Sequence, residues 1–221
     1  SDSSIRTLPM IAIHYLVVIA TIISAQSVLS SEKVHLDVYY ESQCPDSYFF
    51  FLRQLRPVSE ELDGYVETNL VPYGKANTTR EGGKVTFSCH HGVSECLLNK
   101  IHACALARLH QGSNLERVRL ASCLFKYFKR PELAGKTCSP KYGLKWNEVL
   151  SCAKGLKGIE LEYRHGKETH SLNPPPRFIP TIAINKYRGD DDFQNEIRTD
   201  LKKVICKTLA KERITPYACY R

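Results

Sequence analysis

The chain has 221 residues, a formal net charge of +8 and nine cysteines. Its 43% hydrophobic and 24% charged content is that of a globular protein, which excludes a disordered or fibrous chain. The length suits one domain of about 150–200 residues with a short processed segment.

Met10, the only methionine, opens an apolar run that ends near Ile23 and is followed by the small residues Ser24, Ala25 and Ser30. The run is short for a membrane span and has the length of a signal-peptide core. Residues 1–9 therefore read as an upstream extension and 10–30 as a signal peptide cleaved after Ala25 or Ser30, with an uncleaved anchor as the alternative. The expected domain spans 31–221. A secretory route lets disulfides persist, so the cysteines read first as bridges. Asn77-Thr78-Thr79 is a glycosylation sequon expected on a surface loop.

Val34–Tyr40 alternates, with Val34, Leu36, Val38 and Tyr40 on one face, and predicts a strand. After Glu41-Ser42-Gln43-Cys44-Pro45, the residues Tyr48, Phe51, Leu52, Leu55 and Val58 recur at helical spacing. Pro45 suits a first helical turn, and Pro57 predicts a kink or an end. A second strand is expected over Tyr65–Val71. From about Glu95 to Ser171 the pattern is helical. One stripe runs through Cys96, Ile101, Cys104 and Ala105. Asn114 is expected to cap a second helix with Leu115, Val118 and Leu124, and Trp146, Val149, Leu150 and Ala153 mark a third. Residues 158–171 are either a fourth helix or irregular. A stiff Asn173-Pro-Pro-Pro176 connector leads to a β-rich run over Phe178–Ile184, a turn over Asn185–Gly189, and an acidic entry at Asp190–Asp192. One helix carrying Phe193, Ile197, Leu201, Val204, Ile205 and Leu209 follows. The sum is an α/β domain split by a cysteine-rich helical insertion at about 90–172.

Charge is uneven. Residues 26–99 carry a net −4, residues 100–170 a net +8 and residues 171–221 a net +4. The basic insertion is either a solvated helical face or a surface for a protein or anionic partner. Nucleic acid is not expected, because no aromatic platform interleaves with the basic residues.

Cys44 is the candidate nucleophile. A cysteine between a strand and a helix meets unpaired backbone N–H groups, the usual means of favouring a thiolate. The order strand, Cys-Pro-x-x, helix resembles the thioredoxin-fold oxidoreductases. In that fold a cis proline begins a later strand and packs against the catalytic sulfur, and Pro180 in Ile179-Pro180-Thr181 is its counterpart here.

The run from Cys89 to Cys104, Cys-His-His-Gly-Val-Ser-Glu-Cys-Leu-Leu-Asn-Lys-Ile-His-Ala-Cys, resembles the signature of the gamma-interferon-inducible lysosomal thiol reductases. That signature reads Cys-Gln-His-Gly, two residues, Glu-Cys, two residues, Asn, four residues, Cys. It is matched here at Cys89, His91, Gly92, Glu95, Cys96, Asn99 and Cys104, with His90 in place of Gln. Tyr39–Ser42, Leu70–Gly74, Phe178–Pro180 and the spacing of Cys206 and Cys219 extend the resemblance from about Val34 to Cys219. It implies a split thioredoxin-like fold, glycosylation, and reduction of protein disulfides in acidic vesicles or outside the cell. No cofactor is implied beyond an external reducing thiol such as glutathione or cysteine.

One departure matters. Active members carry Cys-x-x-Cys, whereas this chain has Cys44-Pro45-Asp46-Ser47. A hydroxyl cannot form the second sulfur–sulfur bond that releases product. Ser47 can hydrogen-bond the Cys44 thiolate, and the charge of Asp46 is expected to raise the thiol pKa. Two readings stay open. Cys44 acts as a lone nucleophile on protein disulfides, or the scaffold is a secreted binding protein without catalysis.

Setting Cys44 apart leaves Cys89, Cys96, Cys104, Cys123, Cys138, Cys152, Cys206 and Cys219 for four bridges. Cys96 and Cys104 cannot pair if they share a helix, since eight residues separate their Cα atoms by about 12 Å against a limit of about 7 Å. Cys206 with Cys219 is the expected pair near the end of the chain. A zinc site from Cys89, His90, His91, Cys96, His102 and Cys104 lacks a common ligand spacing, so no metal is expected. His90 or His91 as a general base is the remaining alternative.

Overall fold

The computed structural model describes residues 33–109 and 111–221. The expected upstream extension and signal peptide lie outside the described residues. In chain order the elements are β1 (Val34–Tyr40), α1 (Pro45–Phe50), α2 (Arg56–Glu61), β2 (Val66–Pro72), β3 (Asn77–Glu81) and β4 (Lys84–Ser88). The insertion supplies α3 (Val93–Arg108), α4 (Asn114–Phe125), α5 (Pro131–Cys138), α6 (Trp146–Lys154) and α7 (Leu156–His170). β5 (Thr181–Ile184), α8 (Asp191–Thr199) and α9 (Leu201–Lys211) complete the fold.

The main sheet has the order β2–β1–β5, with β2 parallel and β5 antiparallel to β1. β1 is buried on both faces except at His35, and not only on the alternating one. Val34, Leu36, Val38 and Tyr40 enter a core with Phe51, Leu55, Phe125, Ile182 and Ile205. Asp37 and Tyr39 are buried on the other side. There Asn69 Nδ2 donates to Asp37 at 3.0 Å and to Glu168 of α7 at 2.6 Å, and Lys186 reaches Asp37 at 3.1 Å. Each fully buried side chain such as Phe51 contributes about 1.5–3 kcal/mol.

Pro57 does not end its helix. A π turn over Phe51–Leu55 precedes it, and helix continues as α2 to Glu61. The wider turn accommodates a residue that has no N–H and whose ring would crowd the carbonyl four positions back. Asn114 is not the cap of α4. Ser113 is, in a capping box with Glu116, while the Asn114 amide bridges β2 through Thr68 N–H and Val66 O. The single C-terminal helix expected from periodicity is two helices, parted at Asp200, whose carboxylate caps α9 at Lys203 N–H.

The hairpin β3–β4 was not foreseen. Asn77 opens β3 and is exposed, but it lies in a strand and not a loop. The Gly82-Gly83 pair between Thr78-Thr79 and Val85-Phe87 was the available signal. Helix α5 was also missed, whereas 158–171 is helical as one of the two readings had it. The insertion forms a second core around Leu98, Ile101, Leu120, Leu124, Val149 and Leu161. Cys104–Cys152 joins α3 to α6, and Cys123–Cys138 joins α4 to α5. Cys206–Cys219 pairs as expected, and Cys96 pairs with Cys89.

Candidate active site

Among the described residues Cys44 is the only free cysteine, and it stands at the N-cap of α1, with φ −70° and ψ 125°. Its extended backbone turns the chain from β1 into the helix, and Pro45 takes the first helical position, where a missing N–H costs nothing. The thiol donates to the carbonyl oxygen of Ile179 at 3.6 Å. Ile179–Pro180 is a cis bond immediately before β5. Folding thus brings together Cys44, Ser47 and Pro180, which the sequence had singled out.

Only 7% of Cys44 is exposed. Burial pushes its thiol pKa up, and the charge of Glu41 adds to this. The Ser47 N–H and hydroxyl and the Asp46 N–H act in the opposite sense by favouring the thiolate, but burial outweighs them. The Asp46 backbone N–H helps the thiolate, and the Glu41 carboxylate opposes it. Ser47 is fully buried, and its hydroxyl has no well-formed hydrogen bond to any other group in the resting thiol state.

The signature residues clamp the turn that carries Cys44. Asn99 Oδ1 accepts from Ser42 N–H at 3.0 Å. Glu95, fully buried, accepts from Gln43 N–H at 3.3 Å and His91 N–H at 3.1 Å. The Glu95 carbonyl also accepts from Ser42 Oγ at 3.3 Å. Gly92, the N-cap of α3, has φ 87° and ψ −173°, a region almost reserved for glycine. The Cys89–Cys96 bridge then closes the loop onto α3. Six of the seven matched positions are thus gathered at the turn and hold residues 42 and 43, while Cys104 bridges to Cys152 within the insertion.

Further groups complete the surroundings. Gln194 of α8 fixes β5 by accepting from Ile182 N–H at 3.0 Å and donating to Ile182 O at 2.6 Å. Gln43 donates to Phe128 O at 2.8 Å and accepts from Ser94 Oγ at 2.7 Å. An open groove of about 670 Å³ runs beside the turn, with Pro45, Tyr48, Phe49 and Phe128 as apolar wall and His91 and Lys129 at its polar rim. Phe49 and Phe178 are 50% and 45% exposed, large for aromatic side chains, and Arg198 stacks over Phe178 at 4.6 Å. Reading the sequence missed Glu41, Gln43 and Gln194 as site residues. None carries a local signal, because each acts through a partner distant in the chain.

Deeper in the protein, His102 is buried with Nδ1 2.9 Å from Tyr40 Oη, and burial lowers its pKa to about 3. Glu162 of α7 is buried near the Cys89–Cys96 bridge, and burial raises its pKa to about 8. The thiols of Cys89, Cys96 and Cys104 are consumed in bridges, which removes them from the zinc set considered above.

Residues 35–142 match the family described as gamma interferon inducible lysosomal thiol reductase (GILT). The gamma-interferon-inducible lysosomal thiol reductase-like protein of Anopheles gambiae is 35% identical over 192 residues, covering 82% of this chain and 79% of its own. GILT-like protein 1 of Drosophila melanogaster is 35% identical over 190 residues, covering 80% and 76%. Among solved structures, oxidised BdbD from Bacillus subtilis superposes with a TM-score of 0.55 at 14% identity, covering 80% of this chain and 88% of that one. That likeness bears on the fold alone, and the fold is the thioredoxin-like α/β arrangement split by a helical insertion.

Proposed function

Because this chain belongs to the gamma-interferon-inducible lysosomal thiol reductase family, we propose that it acts on protein disulfides through Cys44 alone. The observation that carries the reading is the single unpaired sulfur at the mouth of α1, against Ile179-Pro180, with a hydroxyl at Ser47 where a dithiol site has its second thiol.

The chemistry balances without a resolving cysteine. The Cys44 thiolate attacks one sulfur of a substrate disulfide, forming a mixed disulfide and expelling one substrate thiolate. An external thiol, such as glutathione or cysteine, then attacks Cys44 Sγ and expels the second. A second external thiol clears Cys44 and leaves as the oxidised dimer. One disulfide is reduced and two external thiols are oxidised. The apolar groove beside Pro45 and Phe49 receives the extended substrate segment.

Four disulfides and similarity to the Anopheles lysosomal thiol reductase-like protein support a lysosomal or extracellular setting. Among the described residues no helix is long and apolar enough to cross a membrane. The exposed Asn77 is proposed as a glycosylation site.

The burial of Cys44 favours a second reading, in which the groove and basic insertion bind a partner and the thiol is idle. The deciding experiment is to incubate the full chain with a disulfide-containing protein, quench with an alkylating agent and weigh the intact products. An adduct on Cys44, absent in Cys44→Ser, supports the lone nucleophile. No adduct at neutral or acidic pH sinks it in favour of binding.

A further inference from the structure

Beside the thiol turn lies a cluster that the disulfide chemistry does not use. Glu41 is 1% exposed and Glu95 is fully buried. Among the described residues, no lysine or arginine pairs with either carboxylate; their ion-pair partners are the imidazoles of His90 and His91. Glu41 Oε1 is occupied by Lys75 N–H at 2.9 Å. Its Oε2 faces His90 Nδ1 at 3.2 Å and His91 Nδ1 at 3.3 Å. His91 Nδ1 also lies 2.7 Å from Glu95 Oε2. One nitrogen with at most one proton thus serves two buried carboxylates. Two buried carboxylates converge on one imidazole nitrogen with no lysine or arginine paired to them among the described residues, a setting that suits a cation from outside.

We propose that Glu41, His90 and His91 bind a divalent transition-metal ion of the zinc type. One ligand atom from each of the three lies within 4.8 Å of the others. Donors about 2.0–2.1 Å from a tetrahedral zinc are about 3.3 Å from one another, and the 3.2 Å and 3.3 Å separations at Glu41 Oε2 match two such edges. Coordination through Nδ1 requires each imidazole to carry its proton on Nε2, a change of tautomer without change of charge. The ion's two charges offset those of Glu41 and Glu95. His90 is 53% exposed, which leaves the ion an open path and a free coordination position. The neighbouring trio of Cys89, Cys96 and Glu162 is a contrast, since its sulfurs are bonded to each other.

The site depends on His90, the position where the family signature has Gln. That residue keeps a polar side chain near Glu41 but is a poor zinc ligand. The experiment is calorimetric titration of Zn²⁺ into the full, disulfide-intact chain carrying Cys44→Ser, so that the thiol contributes nothing and the thiol reading is not at stake. The same background carrying His90→Gln is compared. One ion per chain is expected in the first, with affinity at least about tenfold weaker in the second. Zn²⁺ should also raise the thermal midpoint of the first alone. Glu41→Gln in the same background is a second variant and should lose binding likewise. Equal affinity with and without His90, or no binding and no midpoint shift in the Cys44→Ser chain, overturns the proposal.

Discussion

The Cys44 thiol donates to the carbonyl oxygen of Ile179 across 135 positions of sequence, at 3.6 Å. The contact joins the first half of the split domain to the last, and it closes one side of the sulfur. The groove walled by Pro45, Phe49 and Phe128 lies beside the same turn, while Cys44 itself is buried. Burial is the main influence on the thiol, and positions 41, 46 and 47 modulate it.

Ser47→Cys should restore a resolving thiol one helical turn from Cys44. Position 47 is buried beside the sulfur, and a hydroxyl-to-thiol change adds little volume. Reduction of a protein disulfide substrate with a limiting external thiol should rise by more than about tenfold. Turbidity or mass analysis of the substrate measures it. Unchanged rates at both neutral and acidic pH would mean that the two side chains do not meet.

Glu41→Gln should lower the Cys44 thiol pKa, because it removes a negative charge that opposes the thiolate. In chelator-treated buffer, the pH profile of Cys44 alkylation should move to lower pH. Asp46→Asn should move it less, since Asp46 acts through its backbone N–H. A larger shift for Asp46→Asn would reverse this assignment.

Glu162 gives stability a pH dependence of known sign. Its pKa is raised from 4.5 to about 8 in the folded chain, so the folded state holds the proton more tightly than the unfolded one. Its contribution is fully present below about pH 4.5 and is lost as pH rises through about 8. Glu162→Gln should remove that loss, worth a few kcal/mol as an order of magnitude. Denaturant midpoints of the two chains should diverge between about pH 5 and 8 in favour of the variant. His102 runs the other way. Its pKa falls from 6.5 to about 3, so its contribution fades as pH drops through that window.

Gly74→Ala tests how tightly Glu41 is held. Gly74 has φ +62°, and a Cβ there would stand 2.1 Å from Glu41 Cγ. The substitution should destabilise the fold by about 1–3 kcal/mol through the backbone alone, with displacement of Glu41 in addition. Chemical denaturation measures the first effect, and altered Cys44 alkylation reports the second.

Much of the architecture was legible because it is written locally. The alternation of Val34–Tyr40, the helical spacing after Pro45 and the acidic entry at Asp190–Asp192 each follow from short-range pattern. The matched run from Cys89 to Cys104 identified the family, and counting cysteines set Cys44 apart. Where the reading of elements failed, a neighbour had intervened. The π turn over Phe51–Leu55 carried the helix past Pro57, and Ser113 capped α4 so that Asn114 could bridge β2.

The sequence by itself determined that nine cysteines cannot all pair within one chain, and that no second thiol follows Cys44 at position 47. Only the tertiary structure decided that the Cys44 sulfur is buried with Glu41 near it, and that Glu95 and Asn99 hold its turn. The reason is physical. Backbone pattern and covalent spacing are properties of nearby residues, whereas burial, charge and hydrogen bonding depend on distances in space that only the packed chain creates.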